Sequence, residues 1–402
     1  MKKNIKKRSW IVFIALLVLM FVYVGGASGA EILKLGHLNA FSGGASLYGA
    51  DSKRAITMAV EEINSSGGIS IAGKTYQIEV IHLDTKYNAA ETVAGYRRLV
   101  DLHKIRVIHN MGTVTGQAIM LYNQKEKVLL DIISPTESMN QQGNTLLLNQ
   151  VCRPNGFSRP VAKEAAREGL KSMCIIADDS IFGREHAAII TKNFEELGGK
   201  IIASEYVDAP KGVDFMAELT KLKGYNPDCL FIVAMEEPGA RIAKQAREAG
   251  IKTRLLFTEH FKKKIIDVVG IENLEGTLFC GTPLTLMASP IEGTPKEYLD
   301  FREKYLKRWP GTTLSATGAY GYNWIYYTLK AMHLAGTVED VDAIRAKASE
   351  AIAQSKLITY QGFTKGGRGY GQPTYVMGVK NGKIFVLSEE PYPKSLAELG
   401  EK

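Results

Sequence analysis

The sequence predicts an α/β protein built from two parallel-sheet lobes. From Glu31 onward, short runs rich in β-branched and aromatic residues alternate with longer runs whose apolar residues recur every three or four positions. These are the patterns of strands and amphipathic helices, and their alternation is typical of a doubly wound parallel sheet with helices on both faces. The segment CRPNGFSRP, which contains two prolines, interrupts the alternation before it starts again. We therefore expect two successive α/β units.

The predicted elements follow one another with short connections. The first unit holds strands over 31–41, 76–84, 105–112 and 128–134 and helices over 51–65, 88–104 and 115–127. The second unit holds helices over 156–169, 182–198, 214–225 and 238–250 and strands over 172–178, 200–207, 228–235 and 254–259. Three helices follow over 294–309, 317–336 and 339–354. A hairpin around Asn381-Gly382 closes the pattern, because Asn-Gly favours a tight turn between strands.

One short motif imitates a nucleotide-binding loop. Gly68 to Thr75 matches G-x-x-x-x-G-K-[ST], the phosphate-binding P-loop. A P-loop follows a strand and opens a helix, so that helix N–H groups face the phosphates. Here a predicted helix comes before the motif and a predicted strand comes after it. We therefore predict a tight helix-to-strand turn with no nucleotide.

The first thirty residues have the pattern of a secretory signal peptide, with cleavage after Ala30. A basic start, a long apolar run and small residues follow in that order. An uncleaved membrane anchor is the alternative, although the apolar run is short for a bilayer span of about 20 residues. This segment carries five of the eight net positive charges of the chain. The remaining charge is too small for a nucleic-acid-binding protein. The signal-peptide pattern predicts an exported, periplasmic protein.

The four cysteines do not form a metal or redox motif, because no C-x-x-C pair occurs. Cys174 and Cys229 lie in apolar strand patterns, where a free cysteine behaves as a small hydrophobic residue. Cys152 and Cys280 each end a strand-like run where we expect the chain to pass between the units. A disulfide between these two is left open, since an exported protein could form one.

Three loops after strands of the first unit carry groups suited to a small ligand. SGGASLYG presents Tyr48, MGTVTGQ opens a helix with Thr113, and SPTESMN contains Thr136 and Ser138. In parallel sheets, ligands bind beyond the carboxyl ends of the strands. Hydroxyls beside the free N–H groups of a helix start suit a carboxylate, although any one of these residues alone is more simply a helix cap.

The loops after strands of the second unit add an aromatic residue and acids. DDSIFGRE places Phe182 after a strand, AMEEPG places Met235 and Glu236, and FTEHF places Glu259. An acid facing a carboxylate-binding loop is what an α-ammonium group requires. His260 next to Glu259 lacks a companion set at metal-ligand spacing. No catalytic motif such as G-x-S-x-G occurs, so we expect neither an enzyme nor a cofactor.

The chain resembles the periplasmic leucine/isoleucine/valine-binding proteins, the type I solute-binding proteins of branched-chain amino-acid ABC transporters. The resemblance rests on GHLNAFSGGASLYGADSKRAITMAVEEINSSGGI, DTKYNAAETVAGYRRLV, ISPTESM, IIADDSIFGRE, VDFMAELTKLKGYNPDCLFI and AKQAREAGI. It implies two lobes joined by a three-crossing hinge. Lobe I would comprise 31–151 and 281–373, and lobe II would comprise 152–280 and 374–402.

The resemblance also implies roles for individual residues. Thr113, Thr136 and Ser138 match residues that hold the carboxylate and amine of an amino acid, and Tyr48 matches an aromatic residue of the pocket.

In lobe II, Phe182 matches a ligand-contacting tyrosine and Glu259 matches the acid that pairs with the ammonium. Met235 or Glu236 matches a second pocket aromatic. These replacements alter the pocket walls, and Glu137 adds an acid near the carboxylate loop. We expect a monomeric, exported receptor that delivers a small amino acid or related carboxylate to an ABC permease. The alternative is a sensing receptor for aromatic acids or amides.

Overall fold

The computed structural model describes residues 30–390, apart from residues 44, 289, 292, 293, 356, 358 and 359. The predicted signal peptide lies outside the described residues except for Ala30, as do residues 391–402. Within the described part of the chain, no helix is both long and apolar enough to cross a bilayer.

The first of the two main sheets is formed by residues before 150. Its strands are β1 (Glu31–Asn39), β2 (Ile69–Ile71), β3 (Lys74–Asp84), β4 (Val107–Met111), β5 (Leu129–Ile133) and β6 (Leu147–Asn149). They lie in the order β2-β3-β1-β4-β5-β6. All neighbours are parallel except β2 and β3, which form a small hairpin.

The second sheet combines the middle of the chain with its C-terminal hairpin. Its strands are β7 (Ser172–Asp178), β8 (Lys200–Val207), β9 (Cys229–Val233), β10 (Arg254–Phe257), β11 (Leu278–Gly281), β14 (Thr374–Lys380) and β15 (Lys383–Glu390). The order is β15-β14-β11-β10-β9-β7-β8, with β7 to β11 parallel and β14 antiparallel to both its neighbours. A separate two-stranded sheet pairs β12 (Gly362–Phe363) with β13 (Gly369–Tyr370).

Helices join the parallel strands. They are α1 (Ser46–Ser65), α2 (Ala89–Arg97), α3 (Thr113–Asn123), α4 (Pro154–Arg167), α5 (Ile181–Glu196), α6 (Met216–Gly224), α7 (Glu236–Glu248), α8 (Lys263–Val269), α9 (Pro283–Ala288), α10 (Lys296–Arg308), α11 (Ala316–Ala335) and α12 (Val341–Ala353). Short turns of other helix types cover Arg98–Leu102, Glu137–Asn140 and Ile271–Leu274. The predicted helix over 51–65 begins earlier than expected, at Ser46.

The two sheets have the same topology. Numbered in the order in which they occur, the five parallel strands of each sheet lie in the order 2-1-3-4-5, a doubly wound arrangement. Apolar clusters cover both faces of each sheet. We call the first sheet with its helices lobe I and the second sheet with its helices lobe II. The predicted fold class is confirmed, whereas the domain limits at residues 151, 280 and 373 stay a prediction.

The chain passes between the lobes three times. It leaves lobe I after β6, leaves lobe II after β11, and returns to lobe II between β13 and β14. Asp51 on α1 holds the chain segment between β11 and β12 on lobe I. Its buried carboxylate accepts hydrogen bonds from Tyr305 Oη at 3.1 Å and from the Ser315 N–H at 2.9 Å. Lobe I is therefore built from two separate stretches of the chain.

The P-loop-like motif is a structural turn, as predicted. Asn64 at the end of α1 exchanges two hydrogen bonds with the backbone of Ile78 in β3. Gly68 has φ of +89°, and a Cβ there would lie 2.2 Å from the Tyr76 carbonyl oxygen, so only glycine fits. Within this motif, the sequence analysis did not predict β2, which pairs with β3 and makes the motif a hairpin. Lys74 is exposed and pairs with Glu31 at 2.9 Å.

Arg368 fixes the edge of lobe I near the inter-lobe gap. Its side chain is fully buried and donates to the carbonyl oxygens of Ser134, Val151 and Thr136 at 2.8, 3.1 and 2.5 Å. It therefore holds together the loops that follow β5 and β6. The chain continues directly from Arg368 into β13.

We predict that Phe231→Ala lowers the free energy of unfolding by about 3–5 kcal/mol, because it leaves a cavity in the core. Phe231 is fully buried in β9 and lies between Leu256 and Ile175 of the neighbouring strands. Urea unfolding followed by circular dichroism measures the loss. Val213→Ala, at a side chain that is 73% exposed, is the control and should change stability by less than about 0.5 kcal/mol. Equal losses in both variants would contradict the placement of β9 at the centre of lobe II.

Candidate functional site

A cavity lies between the lobes, where the carboxyl ends of the parallel strands of both sheets meet. The centre of a water-sized sphere can occupy about 90 Å³ of it. By that measure one water needs ~10–15 Å³, so the cavity has room for one small solute. Much of the wall is apolar and is formed by Met111, Ile133, Pro135, Val151, Phe157 and Phe182.

The lobe I side presents the start of α3. Gly112 lines the cavity with φ of +112°, and a Cβ there would lie 2.4 Å from the Tyr87 ring, so only glycine permits this turn from β4 into α3. Thr113 is the first residue of the helix and also lines the cavity. The first N–H groups of a helix lack partners within it and attract negative charge. Burial raises the pKa of Tyr87 to about 12, so its hydroxyl stays protonated.

Two of the predicted lobe I residues lie behind the cavity wall. The Thr136 hydroxyl is buried and lies 2.7 Å from the Thr113 hydroxyl, which also contacts Ser134 Oγ at 2.8 Å. Ser138 lies in the short turn that follows, and its Oγ is buried without a hydrogen-bond partner among the described residues. Thr136 therefore orients Thr113, and neither Thr136 nor Ser138 belongs to the wall itself.

Glu259 supplies a buried carboxylate on the lobe II side. It follows β10, lines the cavity, and its side chain is only 13% exposed. Neither carboxylate oxygen has a hydrogen-bond partner among the described residues. Burial raises the pKa of Glu259 to about 7, although the positive charge of Lys262 opposes the shift. A buried acid without donors is costly, and a cationic or hydrogen-bonding solute would relieve that cost.

One neutral histidine lies beside this acid, and a second lies behind Phe182. His260 Nε2 lies 3.4 Å from Glu259 Oε1, and the Phe182 ring meets the His260 ring edge-on with centroids 5.3 Å apart. Burial lowers the pKa of His260 well below its usual value, and Lys262 lowers it further. Burial also lowers the pKa of His186 to about 3, beneath Phe182. Both imidazoles therefore stay uncharged at neutral pH.

Tyr48 joins the lobes at one side of the cavity. Its hydroxyl donates to Glu236 Oε2 and accepts from the Glu236 N–H, both at 3.4 Å. Lys262 Nζ lies 4.8 Å from the centre of the Tyr48 ring. Glu236 is buried behind this contact, where its other oxygen accepts from the Lys264 N–H at 2.9 Å. Burial, followed by the charge of Glu236, raises the pKa of Tyr48 well above its usual value.

A second contact joins the lobes at the loop after β5. The Glu185 carboxylate on α5 accepts from the Glu137 N–H at 2.6 Å and from the Ser138 N–H at 3.2 Å. Glu185 thus caps the short helical turn of lobe I from lobe II. We call this contact the Glu185 clasp.

The structure brings together four of the seven predicted site residues. Tyr48, Thr113, Phe182 and Glu259 line the cavity. Thr136, Ser138 and Glu236 lie around it, in contact with residues of the wall or of the opposite lobe. Of the two alternatives at the end of β9, Met235 lines the cavity. The binding roles given to all seven residues stay predictions.

Two residues that matter to the site were missed. Lys262 lines the cavity but belongs to a run of three lysines, which usually indicates solvent-exposed charge. Glu185 lies in an amphipathic helix with no feature that separates it from surface acids. The only available signal for Lys262 was its position shortly after a strand end.

The four cysteines are free thiols and all are buried. Cys280 donates to the Gly156 carbonyl oxygen at 3.7 Å. Burial, and next the nearby Cys280, raise the pKa of Cys152 well above its usual value, so this thiol stays protonated. The disulfide that the sequence left open is therefore absent. Among the described residues, no group of three or more His, Cys, Asp or Glu could hold a metal ion.

Comparison with known proteins identifies the family. The sequence profile of the periplasmic binding protein family matches residues 32–383. The leucine-, isoleucine-, valine-, threonine- and alanine-binding protein of Pseudomonas aeruginosa is 24% identical over 281 residues, 69% of this chain and 73% of that protein. The chain belongs to the periplasmic binding protein family, and its resemblance to the leucine/isoleucine/valine-binding proteins is confirmed. The family is one of solute receptors.

Two solved structures show the same fold. A leucine binding protein from Thermotoga maritima has a TM-score of 0.73 and 22% identity, and the match covers 89% of this chain and 98% of that one. An ABC-transporter solute binding protein from Rhodopseudomonas palustris, in complex with 3,4-dihydroxybenzoic acid, has a TM-score of 0.75 and 20% identity, with coverage of 90% and 98%.

We predict that the wild-type protein without ligand loses stability with rising pH relative to Glu259→Gln. Glu259 has a pKa of about 7 in the folded protein against 4.5 ordinarily. Its contribution to stability is therefore complete below the unfolded pKa and is lost as the pH rises through 7. The expected difference is about 3 kcal/mol between about pH 4 and about pH 8. Urea unfolding of both proteins across this range measures it, and parallel stability curves would show that Glu259 keeps its ordinary pKa in the folded protein.

We predict that Glu185→Ala opens the unliganded protein. It removes two hydrogen bonds to a charged acceptor, each worth about 1.5–3 kcal/mol. Small-angle X-ray scattering should show a larger radius of gyration than for the wild type. The matched control is Glu195→Ala, which removes an exposed acid from the same helix and should leave the scattering unchanged. Identical curves for all three proteins would mean that the clasp does not hold the lobes closed.

Proposed function

We propose that this protein is an exported receptor that captures a small amino acid or related carboxylate between its lobes and delivers it to an ABC-type membrane permease. The observation that carries the proposal is that both Glu259 carboxylate oxygens, in a cavity the size of a small solute, lack a hydrogen-bond partner among the described residues. The role is binding, with no chemical step.

An α-amino acid would complement both sides of this cavity. Its ammonium group would donate to Glu259, which lacks donors among the described residues. Its carboxylate would accept from the N–H groups at the start of α3, beside the Thr113 hydroxyl that Thr136 orients. Ser138 and Glu236 would act from behind the wall, through the loop after β5 and through Tyr48. Tyr48 and Phe182 would enclose an apolar side chain.

Relatives support this class of solute. The Pseudomonas aeruginosa relative is a binding protein for five amino acids, four of them apolar. The matched Thermotoga maritima structure is a leucine binding protein. These similarities motivate leucine, isoleucine and valine as the first solutes to test.

Capture would work by lobe closure. Residues of both lobes contact the cavity, so a solute that touches both stabilises the closed state over the open one. Tyr48 with Glu236, and the Glu185 clasp, would form in the same step. We further propose that the protein works as a monomer in the periplasm, where the closed form docks on the permease.

A second candidate is a receptor for aromatic acids or amides in a sensing assembly. The specific observation in its favour is the pKa of Glu259, about 7, because the protonated fraction of this carboxyl at neutral pH could donate to a carboxylate. The Rhodopseudomonas palustris protein was solved with such an aromatic acid.

A thermal-shift screen of the protein from Glu31 onward separates the two candidates. We expect leucine, isoleucine or valine to raise the unfolding midpoint, because a ligand that binds only the folded state stabilises it. Glu259→Gln should weaken that binding by about 10- to 100-fold, since it removes the partner of a buried ammonium.

The matched control is Glu237→Gln, at a neighbouring acid whose side chain is 52% exposed. It should bind as the wild type does. A midpoint raised only by benzoate or benzamide would favour the second candidate. Unchanged amino-acid affinity in Glu259→Gln would contradict the ammonium contact.

A further inference from the structure

The cavity contains a positive charge that the proposed role does not explain. Lys262 immediately precedes α8 and lines the cavity. It is half-buried, and its ammonium nitrogen lies over the Tyr48 ring. Among the described residues of the wall, it is the one lysine or arginine.

No described carboxylate forms an ion pair with Lys262. Glu259, three residues earlier, is near enough for the charge of Lys262 to oppose the rise of its pKa, yet the two groups do not pair. The aromatic face of Tyr48 is the one ring, hydrogen-bond or ion-pair contact of the ammonium among the described residues, and it is weaker than a contact with a carboxylate would be. Glu259 and Lys262 are thus neighbours in the wall, and neither side chain has a hydrogen-bond partner among the described residues.

The neighbouring lysines do not share this environment. Lys263 is exposed and pairs with Asp267 at 2.5 Å, one turn along α8. The Lys264 side chain is exposed, and only its backbone N–H contacts Glu236. Of the three consecutive lysines, only Lys262 lines the cavity.

We propose that Lys262 is a specificity-determining residue that receives a carboxylate of the bound solute. The cavity then takes acids in preference to the matching amides, and a zwitterion satisfies Glu259 and Lys262 together. Lobe II thus recognises both charges of an amino acid, in addition to the helix start of lobe I. This inference rests on the proposed function and states which charge of the solute Lys262 selects.

Isothermal titration with matched acid and amide pairs tests the proposal. The probes are leucine with leucinamide and benzoate with benzamide, titrated into the wild type, Lys262→Met and Lys264→Met. We expect Lys262→Met to weaken binding of the acids by about 10- to 100-fold, the effect of losing one charge-assisted hydrogen bond. Binding of the amides should change by less than about 3-fold. Lys264→Met removes the same charge from the exposed position and should bind as the wild type does.

Lys262→Arg keeps the positive charge, so this variant should still bind the acids more tightly than the matching amides. This also protects the test if Lys262→Met does not fold. Acid affinity that is unchanged in Lys262→Met, but lost in Glu259→Gln, would overturn the Lys262 proposal alone. Equal loss for acid and amide would also overturn it, because it would indicate a packing role. Failure of the wild type to bind any of the four probes would overturn the proposed function with it.

Discussion

The geometry of parallel strands is the constraint on which this protein depends. A parallel neighbour can be reached only by a crossover, so all loops at the carboxyl ends of the strands gather along one edge of each sheet. In this chain both sheets turn that edge toward the same gap. Tyr48, Thr113 and Glu259 are distant in sequence, yet each lies just beyond a strand end and therefore at the cavity. The repeated 2-1-3-4-5 strand order makes the two walls alike in construction.

The chemistry of the walls is asymmetric. Lobe I offers hydroxyls and a helix start, whereas lobe II offers an acid, a cation and one neutral imidazole. The buried Glu259 carboxyl costs stability because it has no donor among the described residues. The Tyr48 contact and the Glu185 clasp oppose that cost from the rims of the cavity.

Sequence reasoning predicted most of the fold for a clear physical reason. Helix and strand periodicities arise from burial on one side of a local element, and they are visible without knowing its neighbours. The strand β2 was missed because three residues are too few to show a period. The early start of α1 was missed because Ser46 to Ala50 lie in a glycine-rich stretch that favours a loop. Helix α4 begins at Pro154, two residues before the predicted start at residue 156, and Pro160 lies inside it.

The site residues also divide into those that the sequence identified and those that only the tertiary structure revealed. The sequence by itself determined which loops follow strands, and so it identified Tyr48, Thr113, Phe182 and Glu259, which line the cavity. Only the tertiary structure decided that Thr136 and Ser138 lie behind the wall, that Lys262 faces inward while Lys264 faces solvent, and that Glu185 reaches across to lobe I. Burial, ion pairing and inter-lobe contact depend on residues distant in the chain. A local pattern records the environment that an element creates for itself, but it does not record what the opposite lobe brings to it.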